Sequence, residues 1–477
     1  KEGALKRRGF ITAACFVFLL CRITSAAGQA GAPASPAAPG VSGTPGAATT
    51  ETSAPPGPVN ITGERGPAGP VPLPGAARHE LRPYVTVQQR YTSNVDLLPD
   101  GPGKKEDWIT TIFPGISFIS NDARLGAELN YRAGFNFYAH ESDRNYVSHD
   151  GLVNLRYNPD PRLTFRLRDF LQRSDEPRQE AYAAGQAGYL LTSYAGRQRY
   201  WRNVFEPAVD WQFARESTIG LYYRNNILRN DNNDLYEDST ENYISPRLTY
   251  WFDQRNGIVL EYGYLDGDFD RSADLKGHRA YVRYNHRAST TTMLFIEYEY
   301  LMRDYDSPGI DYTVNAPAAG IEYRFSPTLT GVARAGYFWQ NPERFEGQDG
   351  FNGLLSLTQR DRLTTYSLIL EGGYREDLFT ADNLGFTQYA RASAIVNHRL
   401  TERFSVGLIG IVERTDYFQN PRKDWLYTAD ATADYRILRW LTIGARVGYA
   451  EDDSNIPALS YDEWHAFLTL TASYNVF

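Results

Sequence analysis

The stretch TADATADYRI, residues 428–437, alternates between two kinds of side chain at every position. Its odd-numbered residues are alanine, tyrosine and isoleucine, and its even-numbered residues are threonine, aspartate and arginine. The segment LTIGARVGY, residues 441–449, repeats the pattern after a short break. Because successive side chains of a β-strand point to opposite faces, each segment predicts a strand with one apolar and one polar face.

The same alternation recurs from about residue 82 to the end of the chain, in about twenty segments, with eighteen as the alternative count. A chain of such strands buries its apolar faces when it closes into a barrel whose outer surface meets lipid. We therefore predict that residues 81–477 form an all-β, transmembrane, antiparallel up-and-down barrel. An even number of strands leaves both chain ends on the periplasmic side.

Composition agrees with a membrane barrel. The chain is 42% hydrophobic, with a mean hydropathy of -0.48, and no run of about 18 apolar residues follows its N-terminal region. These values resemble those of a soluble protein, but half of every strand in a membrane barrel faces a polar lumen. The net charge of -8 argues against a nucleic-acid partner.

The N-terminal region has the composition of an export signal. A basic stretch, an apolar stretch and small residues at 25–27 predict a signal peptide over residues 1–27. Residues 28–80 are rich in Ala, Gly, Pro, Ser and Thr, which predicts a disordered periplasmic linker. Both cysteines, Cys15 and Cys21, lie in the signal. The predicted mature chain therefore has no disulfide, thiolate metal site or cysteine nucleophile.

Short turns and longer polar loops alternate along the chain. Residues 121–123 and 438–439 are examples of the short turns, whereas residues 231–241, 266–277 and 451–463 are longer and acidic. Outer-membrane barrels have short turns in the periplasm and longer loops outside the cell. We therefore place the acidic loops outside, where divalent ions are able to bridge them to lipopolysaccharide.

The inward face carries charges of both signs. Opposite charges on neighbouring strands are able to pair across the wall. The plain interpretation is that these charges solvate a watery interior, and the functional one is that they set selectivity for a polar passenger. Because the signs are mixed, no strong preference for anions or cations follows. The candidate lumen-facing residues are Glu128, Arg132, Arg166, Arg168, Glu261, Arg283, Glu297, Glu299, Glu322, Arg324, Arg334, Glu371, Asp430, Asp434 and Arg446.

The outward face is apolar, and aromatic residues gather toward the strand ends. Such girdles are typical of the two membrane–water interfaces. The tryptophans that we assign to them are Trp201, Trp211, Trp251, Trp339, Trp425, Trp440 and Trp464.

We expect no enzymatic activity. Ser148, His149 and Asp150 are the right residue types for a catalytic triad, but neighbours on a strand point to opposite faces, so His149 cannot face both partners. The other histidines lack zinc spacing, and the acidic loops lack the spacing of an EF-hand. We therefore predict no catalytic residue, no metal and no cofactor.

Four segments resemble a known family. RYTSNV at 90–95, KKEDWI at 104–109 and FPGI at 113–116 resemble the opening of the putative β-barrel porin type 2 proteins. GYAEDDSN at 448–455 is similar to the closing repeats of that family. The resemblance implies an outer-membrane barrel of Gram-negative bacteria, often associated with exopolysaccharide synthesis and export, and it implies no catalytic residues.

Together these observations predict an integral outer-membrane barrel that forms a polar conduit. The resemblance implies exopolysaccharide as the passenger, and the inward tyrosines Tyr222 and Tyr281 are suited to stacking on sugars. A general diffusion porin for small solutes, a structural or docking barrel with acidic surface loops, and the sheath of an electron conduit stay open as alternatives. The expected partners are outer-membrane lipid and lipopolysaccharide, the barrel insertion machinery and polysaccharide export components.

Overall fold

A computed structural model of the protein describes residues 78–122, 124–175, 197–232, 234–380, 383–418 and 422–476. The predicted signal peptide and nearly all of the predicted linker lie outside the described residues. The described part contains twenty β-strands and two 3-10 helices of three residues each. None of the described helices has the length and apolarity needed to span a membrane.

The strands form one closed antiparallel sheet. Each strand pairs with the next along the chain, and β1 also pairs with β20. This arrangement confirms the predicted all-β barrel and the count of twenty strands. The strands are β1 Arg78–Thr92, β2 Asp107–Asn121, β3 Leu125–Tyr138, β4 Tyr146–Asp160, β5 Leu163–Ser174, β6 Tyr200–Ala214, β7 Ser217–Asn230, β8 Ser239–Trp251, β9 Asn256–Phe269, β10 Leu275–Arg287, β11 Thr292–Tyr305, β12 Tyr312–Arg324, β13 Leu329–Pro342, β14 Asp349–Arg360, β15 Thr364–Asp377, β16 Gly385–Arg399, β17 Phe404–Tyr417, β18 Arg422–Leu438, β19 Leu441–Ser454 and β20 Tyr461–Ser473.

Several strand ends differ from the predicted ones. The first strand begins at Arg78, opposite Asn121, so the last three residues of the predicted linker belong to the barrel. The predicted loop 266–277 shrinks to residues 270–274, because β9 and β10 continue to pair beyond the apolar region. There the outward residues Asp266, Asp268 and Lys276 are polar, whereas the inward Phe269 and Leu275 are apolar. The usual alternation of an apolar outer face and a polar inner face is therefore reversed, although the backbone pairing continues.

The two ends of the barrel have connections of different length. At the end where β1 begins and β20 ends, the connections have two to four residues, whereas those at the opposite end range from four to 25 residues. In one short turn the Asp253 carboxylate accepts hydrogen bonds from the Asn256 side chain at 2.8 Å and from the Arg255 backbone N–H at 2.6 Å. These bonds favour the charged form and lower the pKa of Asp253.

The outer surface of the barrel wall is apolar. Leu129, Val447 and Leu468 are 37%, 51% and 53% exposed, respectively, which is unusual for aliphatic side chains in water. Exposed tryptophans lie toward both ends of the strands, with Trp211 near the short turns and Trp425 near the long connections. An apolar band between aromatic girdles is the surface that a bilayer requires.

Candidate functional site

Charged residues on the inner wall form ion pairs between strands. Arg279 on β10 pairs with Glu261 on β9 and with Glu299 on β11, and its Nε lies 2.5 Å from Glu299 Oε1. Arg279 and Glu299 are buried although they line the inside of a barrel. A buried arginine with a carboxylate on each side has its charge compensated locally. These groups therefore stiffen the wall, and their charges are not simply solvated.

Other pairs join strands that are not adjacent. Arg334 on β13 lies 3.1 Å from Glu297 on β11, and Arg283 on β10 pairs with Glu322 on β12. The Tyr281 hydroxyl donates a hydrogen bond to Glu297 Oε2 at 2.8 Å. Long side chains span two strands here because they converge on the concave side of the sheet.

At least twelve of the fifteen predicted lumen-facing residues take part in ion pairs. Of the other three, Glu128 is exposed and accepts a hydrogen bond from Asn154 at 3.2 Å, Arg324 is exposed at the short-turn end, and Asp434 lies opposite Gly444. Beyond the pairs already given, the predicted residues contribute Arg132–Asp150, Arg166–Asp210, Arg168–Glu206, Glu371–Arg391 and Asp430–Arg446.

One hairpin leaves the wall and enters the lumen. Strands β14 and β15 pair only as far as Gly353 and Gly372, whereas β15 and β16 continue to pair as far as Asp377 and Gly385. We call residues 373–380 and 383–386 the inner hairpin, whereas residues 387–389 stay paired with β17 in the wall. The sequence did not predict this feature.

Aromatic side chains hold the inner hairpin against the opposite strands. Tyr374 and Phe386 belong to a buried cluster with Leu301 of β11, Val314 of β12 and Phe338 of β13. The ring centroids of Tyr374 and Phe338 are 5.1 Å apart, and those of Tyr374 and Phe386 are 5.5 Å apart. The hairpin therefore packs against the inner faces of three strands that are not its neighbours in the sheet.

Polar contacts support this packing. Glu376 accepts hydrogen bonds from Arg303 at 2.5 Å and from the Tyr312 hydroxyl at 2.7 Å. On the other side of the hairpin, Arg375 lies 3.1 Å from Glu413 on β17. The inner hairpin is thus bonded to the wall on both sides.

The tip of the inner hairpin reaches strands still further away. Leu378 is buried with Leu265, Phe269 and Leu275, which lie on β9 and β10, five or more strands from β15. The Phe379 ring stacks on that of Phe269, with centroids 5.2 Å apart. The hairpin therefore spans part of the lumen near the long connections and narrows it.

A glycine makes room for the tip. A Cβ atom on Gly267 of β9 would lie 2.8 Å from the Phe379 ring, closer than carbon atoms approach without displacement. The absence of a side chain at Gly267 therefore lets the Phe379 ring lie directly on the strand.

A second connection also reaches inward. Arg197, which precedes β6, has a fully buried side chain and lies 2.8 Å from Glu463 on β20. It also donates a hydrogen bond to the Val95 carbonyl at 2.9 Å. Glu463 in turn lies 3.6 Å from Arg90 of β1. The described residue Arg197, at the β6 end of the connection between β5 and β6, therefore contacts the strands that close the barrel.

The sequence contains an indication of the inner hairpin that the alternation of apolar and polar residues does not provide. Residues 374–386 contain Leu378, Phe379, Leu384 and Phe386, which are too apolar for a solvated outer loop. Apolar residues in a polar loop indicate that the loop packs against another part of the protein. What it packs on depends on contacts between residues far apart in the chain.

The residues considered for catalysis do not converge. The His149 ring is hydrogen-bonded to the Tyr131 hydroxyl at 2.8 Å on the outer surface, whereas Asp150 pairs with Arg132 inside. Ser148 Oγ accepts a hydrogen bond from Asn136 at 3.0 Å. Within the described residues, no group of three or more His, Cys, Asp or Glu is placed to hold a metal ion.

Comparison with known protein families finds a match for part of this barrel. Residues 268–474, which include β10 to β20 and the inner hairpin, match the family described as Putative beta-barrel porin 2. The family resemblance is confirmed. The family match and the closed barrel together indicate an integral outer-membrane protein with a porin-like architecture. A comparison with curated protein sequences found no match.

Three bacterial proteins are among the solved structures to which the chain is similar. The FrpB iron transporter of Neisseria meningitidis is 8% identical, with 82% of each chain covered and a TM-score of 0.49. The siderophore receptor PirA of Pseudomonas aeruginosa is 12% identical, with 84% of this chain and 81% of that chain covered and a TM-score of 0.47. OprD of Pseudomonas aeruginosa is 9% identical, with 84% and 96% covered and a TM-score of 0.35.

Proposed function

We propose that this barrel is a gated polar conduit that exports exopolysaccharide across the outer membrane. The inner hairpin is the observation that carries the proposal. A pore for continuous diffusion requires an open lumen, whereas here a hairpin held by Glu376 and by the aromatic cluster around Tyr374 narrows the lumen. A conduit that opens only during export would keep the outer membrane sealed at other times.

The inner wall suits a neutral or weakly charged passenger. Most of its predicted charges are paired with one another, so the wall presents alternating signs and not one strong field. The Tyr222 hydroxyl donates to Glu206 at 2.6 Å, and the Tyr222 side chain is half-buried. The predicted Tyr281 is instead buried, at 7% exposure, so its ring is not available to stack on a sugar. Tyrosine rings held on a polar wall combine a flat apolar face with hydrogen-bonding neighbours, the combination that a sugar ring requires. The family resemblance supports polysaccharide as the class of passenger.

The decisive experiment is conductance across planar bilayers. We expect the purified wild-type barrel to show little steady conductance, and a variant with residues 374–386 replaced by a short glycine–serine linker to show large, steady conductance. The control shortens residues 455–460, the six-residue connection that joins β19 and β20 at the same end of the barrel. Steady conductance of the wild type, equal to that of the hairpin variant, would rule out a gate.

Export itself is tested in cells. Deletion of the gene should abolish surface polymer and leave the uptake of small solutes unchanged. In this proposal the linker is periplasmic, the insertion machinery and polysaccharide export components are the partners, and no residue acts in catalysis.

A general diffusion porin is the second candidate, favoured by the description of the matched family as a porin. It predicts steady wild-type conductance and slower solute uptake after gene deletion. A docking barrel would instead lose its function when the acidic loops are trimmed and keep it when the lumen is narrowed.

A further inference from the structure

An aspartate lies on the apolar outer surface of the barrel. On β5 the outward positions alternate with the inward Arg166 and Arg168, and they include Phe165, Leu167, Asp169 and Leu171. Across the sheet, Asp169 is directly opposite Val153 of β4 and Phe205 of β6. A half-buried carboxylate is therefore surrounded by leucine, valine and phenylalanine at the level where the wall faces lipid.

Other outward carboxylates lie in a different setting. Asp266, Asp304 and Glu451 are close to the long-connection ends of their strands, where the chain leaves the membrane. Asp169 is the seventh residue of its twelve-residue strand. Its short side chain cannot reach the interface in the way that a long lysine or arginine side chain does.

Amide side chains extend from Asp169 across the neighbouring strands. Asn203 of β6 donates a hydrogen bond to Asp169 Oδ1 at 2.7 Å. Further along, the Tyr223 hydroxyl and the Asn225 amide both donate to Asn242 Oδ1, at 2.8 and 3.0 Å. We call these five residues, Asp169, Asn203, Tyr223, Asn225 and Asn242, the polar stripe.

The polar stripe departs from the rest of the outer wall. On β18, for comparison, the outward residues between Tyr427 and Tyr435 are Ala429, Ala431 and Ala433. Lipid tails offer no hydrogen bonds, so the mid-strand Asp169 carboxylate facing them is costly, whereas Asn242 lies opposite Asp266 at the long-connection end of the stripe. Besides their contacts within the stripe, Asn203 and Asn225 each donate to a backbone carbonyl, that of Phe170 at 3.1 Å and that of Glu241 at 3.4 Å. An amide oxygen also has two lone pairs with which it accepts hydrogen bonds.

We propose that the polar stripe is the contact surface between two copies of this chain lying side by side in the membrane. The Asp169 carboxylate of the stripe accepts hydrogen bonds, and its amide and phenol groups donate them. One stripe is therefore complementary to a second, identical stripe. A contact between identical patches requires this property. Interhelical hydrogen bonds between polar side chains join transmembrane helices, and the same chemistry applies between barrel walls.

The first test measures mass. We expect light scattering coupled to size-exclusion chromatography in mild detergent to give a dimer for the wild-type protein and a monomer for the Asp169→Leu, Asn203→Leu double variant. Retention of the heat-modifiable gel mobility of a folded barrel shows that the variant is still inserted and closed. A monomeric wild type, or a dimer unchanged by the substitutions, overturns the proposal.

The second test does not depend on whether that variant folds. Because both cysteines lie at positions 15 and 21, in the predicted signal, single cysteines report on chosen sites. Asn225→Cys in reconstituted vesicles should give covalent dimers with a short bis-maleimide. The matched control is Leu368→Cys, an outward residue of β15 that is 40% exposed, and it should stay monomeric. Equal cross-linking at both positions, or none at residue 225, contradicts a contact at the stripe, and so does capture of a different polypeptide alone.

Discussion

Glu376 of the inner hairpin accepts a hydrogen bond from Arg303 of β11 at 2.5 Å, although their strands are four apart in the sheet. Both side chains are largely buried, at 10% and 4% exposure. Removing one partner of a buried ion pair costs about 3–5 kcal/mol, because the other charge is left uncompensated. This contact is therefore the point at which a single substitution releases the hairpin from the wall.

Glu376→Gln should open the lumen more often than in the wild type. A loss on the order of 3 kcal/mol in hairpin packing corresponds to about a hundredfold shift between packed and released states. Single-channel recording should show more frequent or longer open events. Asp304→Asn, one residue from Arg303 and on the outer face, is the control and should leave conductance at the wild-type level. Identical recordings from both variants would show that the ion pair does not hold the hairpin.

Gly267→Val should displace the hairpin tip without disturbing the wall. A Cβ at this position meets the Phe379 ring at 2.8 Å, so the ring must leave its place on Phe269. We expect higher conductance and faster proteolysis within residues 378–380. Gly410→Val is the matched control, because a Cβ on that β17 glycine has no atom within 4 Å. If the two variants conduct alike, the tip does not narrow the lumen.

Alternation in the sequence predicts the barrel but cannot predict the inner hairpin. The period-two pattern of residues 428–437 predicts that β18 has one apolar and one polar face. The closure of the sheet into a barrel follows from the number of such strands. Tyr374 and Arg375 also alternate, yet both are enclosed, because β15 has separated from β14 by this point. Whether a strand stays in the wall depends on packing against distant strands, which a local pattern does not contain.

The sequence predicts which charged residues face the lumen, but it does not predict which of them form ion pairs with each other. Alternation assigns Arg283 and Glu322 to the inner face, but their pairing joins β10 to β12 across β11. That partnership depends on the curvature of the wall and on the lengths of the two side chains. The polar stripe was not predicted, because its residues lie on four strands and alternation within one strand does not show which residues of different strands meet.

Leu129→Arg should destabilise the barrel, whereas Asn130→Arg should not. Leu129 faces outward on β3 and is 37% exposed, and a charge near the bilayer midplane costs about 2–4 kcal/mol. Asn130, its neighbour, faces the polar lumen and serves as the matched control. Denaturant unfolding in liposomes measures the difference in the free energy of unfolding. Equal stability of the two variants would contradict the assignment of faces.

Holding the inner hairpin in place should stop transport reversibly. In a Phe269→Cys, Phe379→Cys variant, the two cysteines replace rings whose centroids are 5.2 Å apart, and the predicted mature chain contains no other thiol. A short bis-thiosulfonate joins two such thiols and is cleaved by a reductant. We expect surface polymer to fall to the level of the gene deletion after cross-linking and to recover after reduction. Each single-cysteine variant, treated in the same way, controls for modification alone. Undiminished export through a cross-linked barrel, verified by the mass of the bridged peptide, would show that the polymer does not require the hairpin to move.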